Sequence, residues 1–333
     1  MIGLSPTIKD VASLAGVSVA TVSRHIHQNG YISESAEQKV INAINELGYK
    51  PVRNIRNKKM MTIGLVIPDI TNPFFSELAR AIEDACQEKG FAVLFCNSDQ
   101  FHVKEKLYIE FFIERNVSGT IFATNNLSPE EYNKLTDAGI PIVVLDRIVN
   151  NPLCTSVKCN NYEGAKLAVK HLLEIGCKKI AHIYGPQEVT TGNERLQGYI
   201  DVVKDEPWYT PTLLAPGYFE IEGGMAAIET LLSRHPDIDG IFAGNDIMAL
   251  GILKTLKRKN IKVPEEIAVC GFDGISFADI FEPGLTTIAQ PIYEMGKKAA
   301  EILIDQINHH KPMGEQQAIE MNVELVVRES TQR

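Results

Sequence analysis

The chain has 333 residues, a formal charge of −9 and 44% hydrophobic residues, which suits two or three compact units and excludes a disordered polymer. No run of 18 apolar residues occurs, and the start MIGLSPTIKD has neither a basic segment nor a long apolar one. A membrane span and a signal peptide are therefore not expected, and the cytoplasm is the expected compartment. Six scattered cysteines with no Cys-x-x-Cys pair fit free thiols, so neither a metal nor a cofactor is expected.

Charge is uneven along the chain. Residues 1–61 hold eight Lys/Arg against four Asp/Glu, a net of +4, which leaves −13 on the remainder. A small basic head on an acidic body is the footprint of a nucleic-acid reader, because the body repels phosphate and confines DNA to the head. The bland alternative is a solvated basic surface. Three helices are expected in residues 1–50. The first runs from Ile8 to Leu14, with Thr7 as N-cap and Ile8, Val11, Ala12 and Ala15 on one face. Gly16 supplies the corner, and Ser18 caps a second helix, Val19 to Ile26, with Val22 and Ile26 inward. A third spans Ala36 to Leu47, with Val40, Ile41, Ile44 and Leu47 on its apolar side and Gly48 at its end.

Two helices joined by a Gly-containing turn form a helix-turn-helix, whose second helix enters the major groove. Val19 and Ala20 suit a thymine methyl, Arg24 can take guanine O6/N7 bidentately, and Thr21 and Ser23 can bond phosphates. Lys39 is expected to neutralise a phosphate without reading sequence. A three-helix head is also compatible with a small docking module.

Residues 51–61 read as a basic, poorly periodic hinge, and the body from 62 to 333 alternates strands with helices. Strands are expected at 62–69, 91–98, 119–124 and 140–146, with helices at Pro73–Lys89, 103–116 and 129–138 between them. The pattern restarts with helix 162–175, strand 179–185, helices 193–204 and 222–234, strand 240–245, helix 246–258 and strand 267–274. Strict alternation predicts doubly wound parallel sheets, and two similar series predict two lobes with a cleft at the strands' carboxyl ends. The chain is expected to cross back near Gln290 for helix 292–309 and return near 322. Lobe 1 then covers about 62–161 and 291–321, and lobe 2 about 162–290 and 322–333.

At the expected carboxyl ends stand Asp69, Asn72, Phe74, Phe75, Asp146, Arg147, Arg195, Phe219, Asn245, Asp246, Asp273 and Gln290. Planar polar groups beside aromatic rings are what a sugar needs, for its hydroxyls and its C–H faces respectively. Each also has a structural reading. Phe74 and Phe75 at a first helical turn fit a core, Asn72 before Pro73 fits an N-cap, and Asp273 can cap the next turn.

TIKDVASLAGVSVATVSR (Thr7–Arg24), followed by KVINAINELGYKP (Lys39–Pro51), resembles the DNA-binding head of the lactose/galactose-repressor family. The resemblance implies base readers at Val19, Ala20 and Arg24, and positioning or phosphate roles for Thr7, Ser18, Thr21 and Ser23. His27 stands where the family usually has Asn, and Ala36-Glu37 replaces the usual Thr-Arg, which removes one expected phosphate contact. In the family the segment after Pro51 is a hinge helix that wedges leucine into the minor groove. Here it is shorter and no Leu follows Arg56, so Ile55 is the nearest candidate wedge; the alternative is a basic tether.

The segments ITNPFF, VLDR, NERLQGY, GNDIMALG, GFDG and TIAQ are similar to periplasmic sugar-binding proteins, most closely the ribose-binding protein. The family's ribose ligands correspond to Asn72, Phe74, Phe75, Arg147, Arg195, Phe219, Asn245, Asp273 and Gln290. The two resemblances together imply an all-α helix-turn-helix head on a two-lobed α/β body. They imply a homodimeric repressor of pseudo-palindromic double-stranded operator DNA whose effector is a small free sugar, ribose.

Three rivals stand beside that reading. A periplasmic carrier needs no DNA-reading head. An enzyme is not expected, because no G-x-S-x-G, P-loop or H-E-x-x-H motif occurs. A catabolite regulator using a phosphorylated carrier protein as corepressor has the same architecture, and a complete free-sugar site argues against it. Dimer contacts are expected on the outer face of helix 76–89, through Leu78, Ile82 and Cys86. The ending VVRESTQR shows no leucine heptads, so no coiled-coil tail is expected.

Overall fold

The computed structural model describes residues 6–27, 30–49, 61–124, 127–146, 154–309 and 318–333. The chain divides into two units, Met1–Met60 and Met61–Arg333. In the first, helices α1 (Ile8–Ala15), α2 (Val19–His27) and α3 (Glu34–Leu47) close round Val11, Ala12, Ala15, Val22, Val40 and Ala43. Thr7 opens α1, its N–H and hydroxyl both donating to Asp10 Oδ2 at 2.7 Å. Gly16 ends α1 in the left-handed conformation at φ 64°, which lets Val17 N–H reach Ala12 O at 3.1 Å. Ser18 Oγ accepts from Thr21 N–H at 3.1 Å and starts α2. Helix α3 begins at Glu34, before the expected Ala36, because Glu34 and Glu37 suit the positive end of a helix. Ile41 is only half-buried, and Ala43 joins the core in its place.

The second unit carries two α/β lobes. Lobe 1 contains β1 (Met61–Ile67), α4 (Pro73–Glu88), β2 (Phe91–Asn97), α5 (His102–Glu114), β3 (Gly119–Phe122), α6 (Pro129–Asp137), β4 (Ile142–Leu145) and β5 (Thr155–Cys159). Lobe 2 contains α7 (Asn161–Glu174), β6 (Ile180–Tyr184), α8 (Thr190–Val203), β7 (Leu214–Pro216), α9 (Ile221–Arg234), β8 (Gly240–Ala243), α10 (Asp246–Arg258), β9 (Ala268–Asp273) and β10 (Thr286–Ala289). Helix α11 (Ile292–His309) packs against α4, and β11 (Ala318–Met321) joins the sheet of lobe 1. Strand β12 (Glu324–Val326) joins that of lobe 2.

The sheet orders are β11-β5-β4-β3-β1-β2 and β12-β10-β9-β8-β6-β7. Every pairing is parallel except β10–β12. The chain therefore passes between the sheets three times, after β5, after β10 and after β11. Among the described residues no helix is long and apolar enough to cross a membrane, and no acidic, His or Cys group is arranged to hold a metal. All six cysteines are free and buried.

Five strands escape the hydrophobic pattern: β5, β7, β10, β11 and β12. Two of them, β7 and β12, have only three residues. Strand β10 buries Thr286 and Thr287 completely, because their hydroxyls donate to Arg328 O at 3.0 Å and Asp246 Oδ1 at 2.6 Å.

The expected dimer face on helix 76–89 is corrected. Leu78, Ile82 and Cys86 are all 0% exposed in the core of lobe 1. Their spacing marks the apolar stripe of α4, but that stripe faces the chain's own interior. Large apolar side chains are exposed elsewhere. Phe101, Val103 and Leu107 lie at α5, 63%, 70% and 58% exposed, and Ile280 on lobe 2 is 75% exposed. Ile82→Ala is expected to lower stability by about 2–5 kcal/mol in denaturant titration while leaving subunit association intact. A weakened dimer with unchanged stability would restore α4 as an interface.

Candidate functional site

The carboxyl ends of the two sheets meet at one cleft. Lobe 1 lines it with Pro68, Asp69, Asn72, Phe74, Phe75, Gln100 and Asp146, and lobe 2 with Val189, Thr191, Arg195, Phe219, Asn245 and Asp273. About 520 Å³ between these residues is free of atoms, open solvent at the mouth included.

Arg195, on α8, is 3% exposed and held on every side. Its Nε donates to Asn161 Oδ1 at 2.9 Å and its Nη1 to Gly244 O at 2.7 Å. Nη1 also lies 3.2 Å from Asp273 Oδ1. The guanidinium carbon stacks 3.7 Å from the Phe272 ring centroid and 5.7 Å from that of Phe219. Gln290 Nε2 donates to Asp273 Oδ1 at 2.9 Å. Burial pushes the Asp273 carboxyl up to about 6, with Arg195 opposing and Asp146 reinforcing.

Beneath Asp273, Asp246 fixes the turn that follows β9. Its Oδ2 accepts from Gly274 N–H at 2.8 Å and Ile275 N–H at 3.0 Å, and its Oδ1 from Thr287. Burial, with the charge of Asp273, pushes Asp246 up to about 7.

The cleft wall is strained. Gln100, Asp146, Phe219 and Asp273 have φ of 60°, 60°, 61° and 117°, a region that side chains occupy only when their surroundings compel them. Phe219 rests where Gly185 leaves room; a Cβ there would lie 2.1 Å from the ring. Phe74 and Phe75 meet edge to face with centroids 5.1 Å apart. Asn72 Oδ1 caps α4 by accepting from Phe74 N–H at 3.1 Å, and Asn245 Oδ1 caps α10 by accepting from Met248 N–H at 2.9 Å. Each cap leaves an amide NH₂ for a ligand, so the structural and binding readings coexist. Chemically the cleft offers bidentate polar partners and flat apolar faces to a small polyhydroxylated molecule.

Seven of the nine expected effector residues line this cleft: Asn72, Phe74, Phe75, Arg195, Phe219, Asn245 and Asp273. Gln290 stands behind Asp273, and Arg147 lies outside the described residues. Pro68, Gln100, Val189 and Thr191 carried no sequence signal. Asp69 and Asp146 were visible at strand ends but stood outside the nine residues aligned with the family's ligands.

In the head, Ser18, Val19, Ala20 and Arg24 are exposed together along α2, while Thr21 and Ser23 are half-buried. Lys39 is exposed on α3. Ile55 and Arg56 lie outside the described residues.

Residues 7–52 match the bacterial regulatory proteins of the lacI family, and residues 169–331 match a periplasmic binding protein-like domain. The ribose operon repressor of Halalkalibacterium halodurans is 42% identical over 98% of this chain and 97% of its own length. The chain belongs to the lacI family. Its fold is the lacI-family fold: the Lac repressor dimer bound to operator and the anti-inducer ONPF superposes with a TM-score of 0.77 at 25% identity, covering 98% of this chain and 99% of that one. A LacI family regulator from Enterococcus faecium with bound ribose superposes with a TM-score of 0.74 at 33% identity, covering 81% of this chain and 98% of that one. Like other lacI-family members, the chain is a DNA-binding transcriptional regulator.

The raised carboxyls of this lacI-family cleft make stability fall with pH. Both Asp246 and Asp273 hold protons more tightly folded than at the ordinary value of 3.8, so unfolding releases protons between about 4 and about 7. The thermal midpoint is expected to drop as pH rises from about 6.5 to about 8, above the range in which buried His182, pushed down to about 4, acts in the opposite direction, and Asp246→Asn is expected to flatten that drop. A midpoint that climbs across this window in the wild type would contradict the assignment.

Proposed function

We propose that the chain represses transcription by binding a pseudo-palindromic operator as a homodimer, and that free ribose in the cleft releases the operator. The observation that carries this is the charge balance of the cleft. Among the described lining residues, Arg195 is matched by Asp273 and outnumbered once Asp69 and Asp146 are counted. Such a site favours neutral hydroxyls over a phosphate dianion. Phe74, Phe75 and Phe219 supply the flat faces that a pentose's C–H groups need. Similarity to a ribose operon repressor and to a ribose-bound regulator supports ribose among small sugars.

A sugar gripped from both lobes biases the angle between them, and the operator-competent population falls accordingly. The exposed apolar groups at α5 (Phe101, Val103, Leu107) and on lobe 2 (Phe277, Ile280) supply the faces for a second copy of the body. On α2, Val19, Ala20 and Arg24 read bases while Ser18, Thr21 and Ser23 position the helix.

Calorimetry tests the effector. Heat with ribose and little with ribose 5-phosphate is expected, and Asp273→Asn is expected to lose ribose about tenfold or more while keeping operator affinity. Heat with the phosphate ester alone would overturn the free-sugar reading, and heat with neither would favour a phosphocarrier corepressor.

The head is tested by selection on randomised operators. Arg24→Ala is expected to cost about 1–3 kcal/mol and to relax preference at one base pair per half-site. Lys39→Ala is expected to weaken all sequences alike and reduce the salt slope by about 1. An unchanged sequence logo for Arg24→Ala would remove it from the base readers.

A further inference from the structure

The first passage between the lobes, Lys158 to Asn161, is tied to the cleft by two contacts that ligand binding itself does not require. Asn161 is 1% exposed and bridges two systems: its Oδ1 accepts from Arg195 Nε at 2.9 Å, and its Nδ2 donates to Cys159 O at 3.2 Å. Lys158, on β5 of lobe 1, places Nζ 3.3 Å from Glu194 Oε1, on α8 of lobe 2 and next to Arg195. The same Nζ lies 3.3 Å from Glu320 Oε2 on β11, within its own lobe. Asn160 fastens the strap further. Its N–H donates to Met321 O at 3.2 Å, its Nδ2 donates to Glu320 Oε1 at 2.8 Å, and its Oδ1 caps α7 by accepting from Glu163 N–H at 2.9 Å.

These contacts differ in what a lobe rotation does to them. Lys158–Glu320 and Asn160–Glu320 stay within or beside lobe 1 and travel with it. Lys158–Glu194 joins lobe 1 to α8 and holds only near the lobe angle seen here, whereas Asn161–Arg195 lies within lobe 2 and moves with it, tied back to β5 by the bond from Asn161 Nδ2 to Cys159 O. The side chains of Lys158 and Glu194 are 15% and 23% exposed, so their attraction is less screened than that of a surface pair.

We propose that Lys158–Asn161 is the coupling strap of this regulator. Asn161 is a positioning residue that transmits the state of Arg195 to the crossover, and the Lys158–Glu194 pair is the interlobe latch that sets the lobe angle. The proposal deepens the sugar reading of the cleft and rests on it for the identity of the ligand, but not for the latch itself.

The test uses the full-length protein and three substitutions: Glu194→Gln, Lys158→Met and Asn161→Ala, with Asn161→Asp as the variant that keeps the acceptor for Arg195. Operator affinity is measured by fluorescence anisotropy without ligand and with saturating ribose, and their ratio is the coupling factor. Glu194→Gln and Lys158→Met change net charge in opposite directions but break the same latch. Both are therefore expected to shift ligand-free operator affinity in the same direction, by about threefold or more. Asn161→Ala is expected to lower the coupling factor at saturation about fivefold, beyond any loss of ribose affinity, and Asn161→Asp to restore most of it.

A residue that only helps bind sugar changes its affinity in both states alike and leaves that ratio untouched. Opposite shifts in the two latch variants would reveal general electrostatics and overturn the latch. A wild-type coupling factor in Asn161→Ala would overturn the positioning role. If ribose gives no heat with the wild type, the sugar reading has failed, and the strap is judged on ligand-free operator affinity alone.

Discussion

The cleft depends on keeping one guanidinium charged inside the protein. Arg195 is 3% exposed, and a buried cation is tolerated only when its charge and its N–H groups are matched. A carboxylate, an amide oxygen, a backbone carbonyl and an aromatic face do this together, and they come from three parts of the chain: Asp273 and Phe272 from the end of β9, Asn161 from the crossover and Gly244 from after β8. Much of the local architecture follows from holding those four in place.

Asp273 must turn toward Arg195 at φ 117°, so the turn behind it needs an anchor, and Asp246 supplies it through two backbone N–H groups and Thr287. Burial raises both carboxyls, helped at Asp246 by the charge of Asp273 and at Asp273 by that of Asp146. The strain at Gln100, Asp146 and Phe219 has the same logic. The backbone gives up a favourable conformation so that side chains from both lobes converge on one volume.

Local signals made the helices legible. Asn72-Pro73 announces the start of α4 and Gly16 the end of α1, because capping chemistry acts over a few residues. Which side of α4 faces inward was not legible. Leu78, Ile82 and Cys86 define a stripe, and much of what packs against α4 is α11, more than two hundred residues further on. The short strands were hidden for a related reason: Thr286 and Thr287 look like surface residues until Asp246 and Arg328 satisfy their hydroxyls. In the cleft, strand-end chemistry pointed to Arg195, Asp273 and the phenylalanines. It could not reach Gln100, in the turn before α5, or Val189 and Thr191, at the start of α8, because their place in the cleft wall depends on how those elements are packed. Asn161 read as an ordinary residue near the start of a helix, and its bond to Arg195 spans 34 positions.

The account as a whole rests on linkage between cleft and head. If occupancy of the cleft and occupancy of the operator bias one equilibrium, each ligand must weaken the other by the same factor. The direct measurement is a closed cycle: operator affinity with and without saturating ribose, and ribose affinity with and without saturating operator, in one buffer at one salt concentration. The account predicts that both affinities fall, and by equal factors. Operator affinity that stays unchanged or rises when ribose saturates the cleft would contradict it.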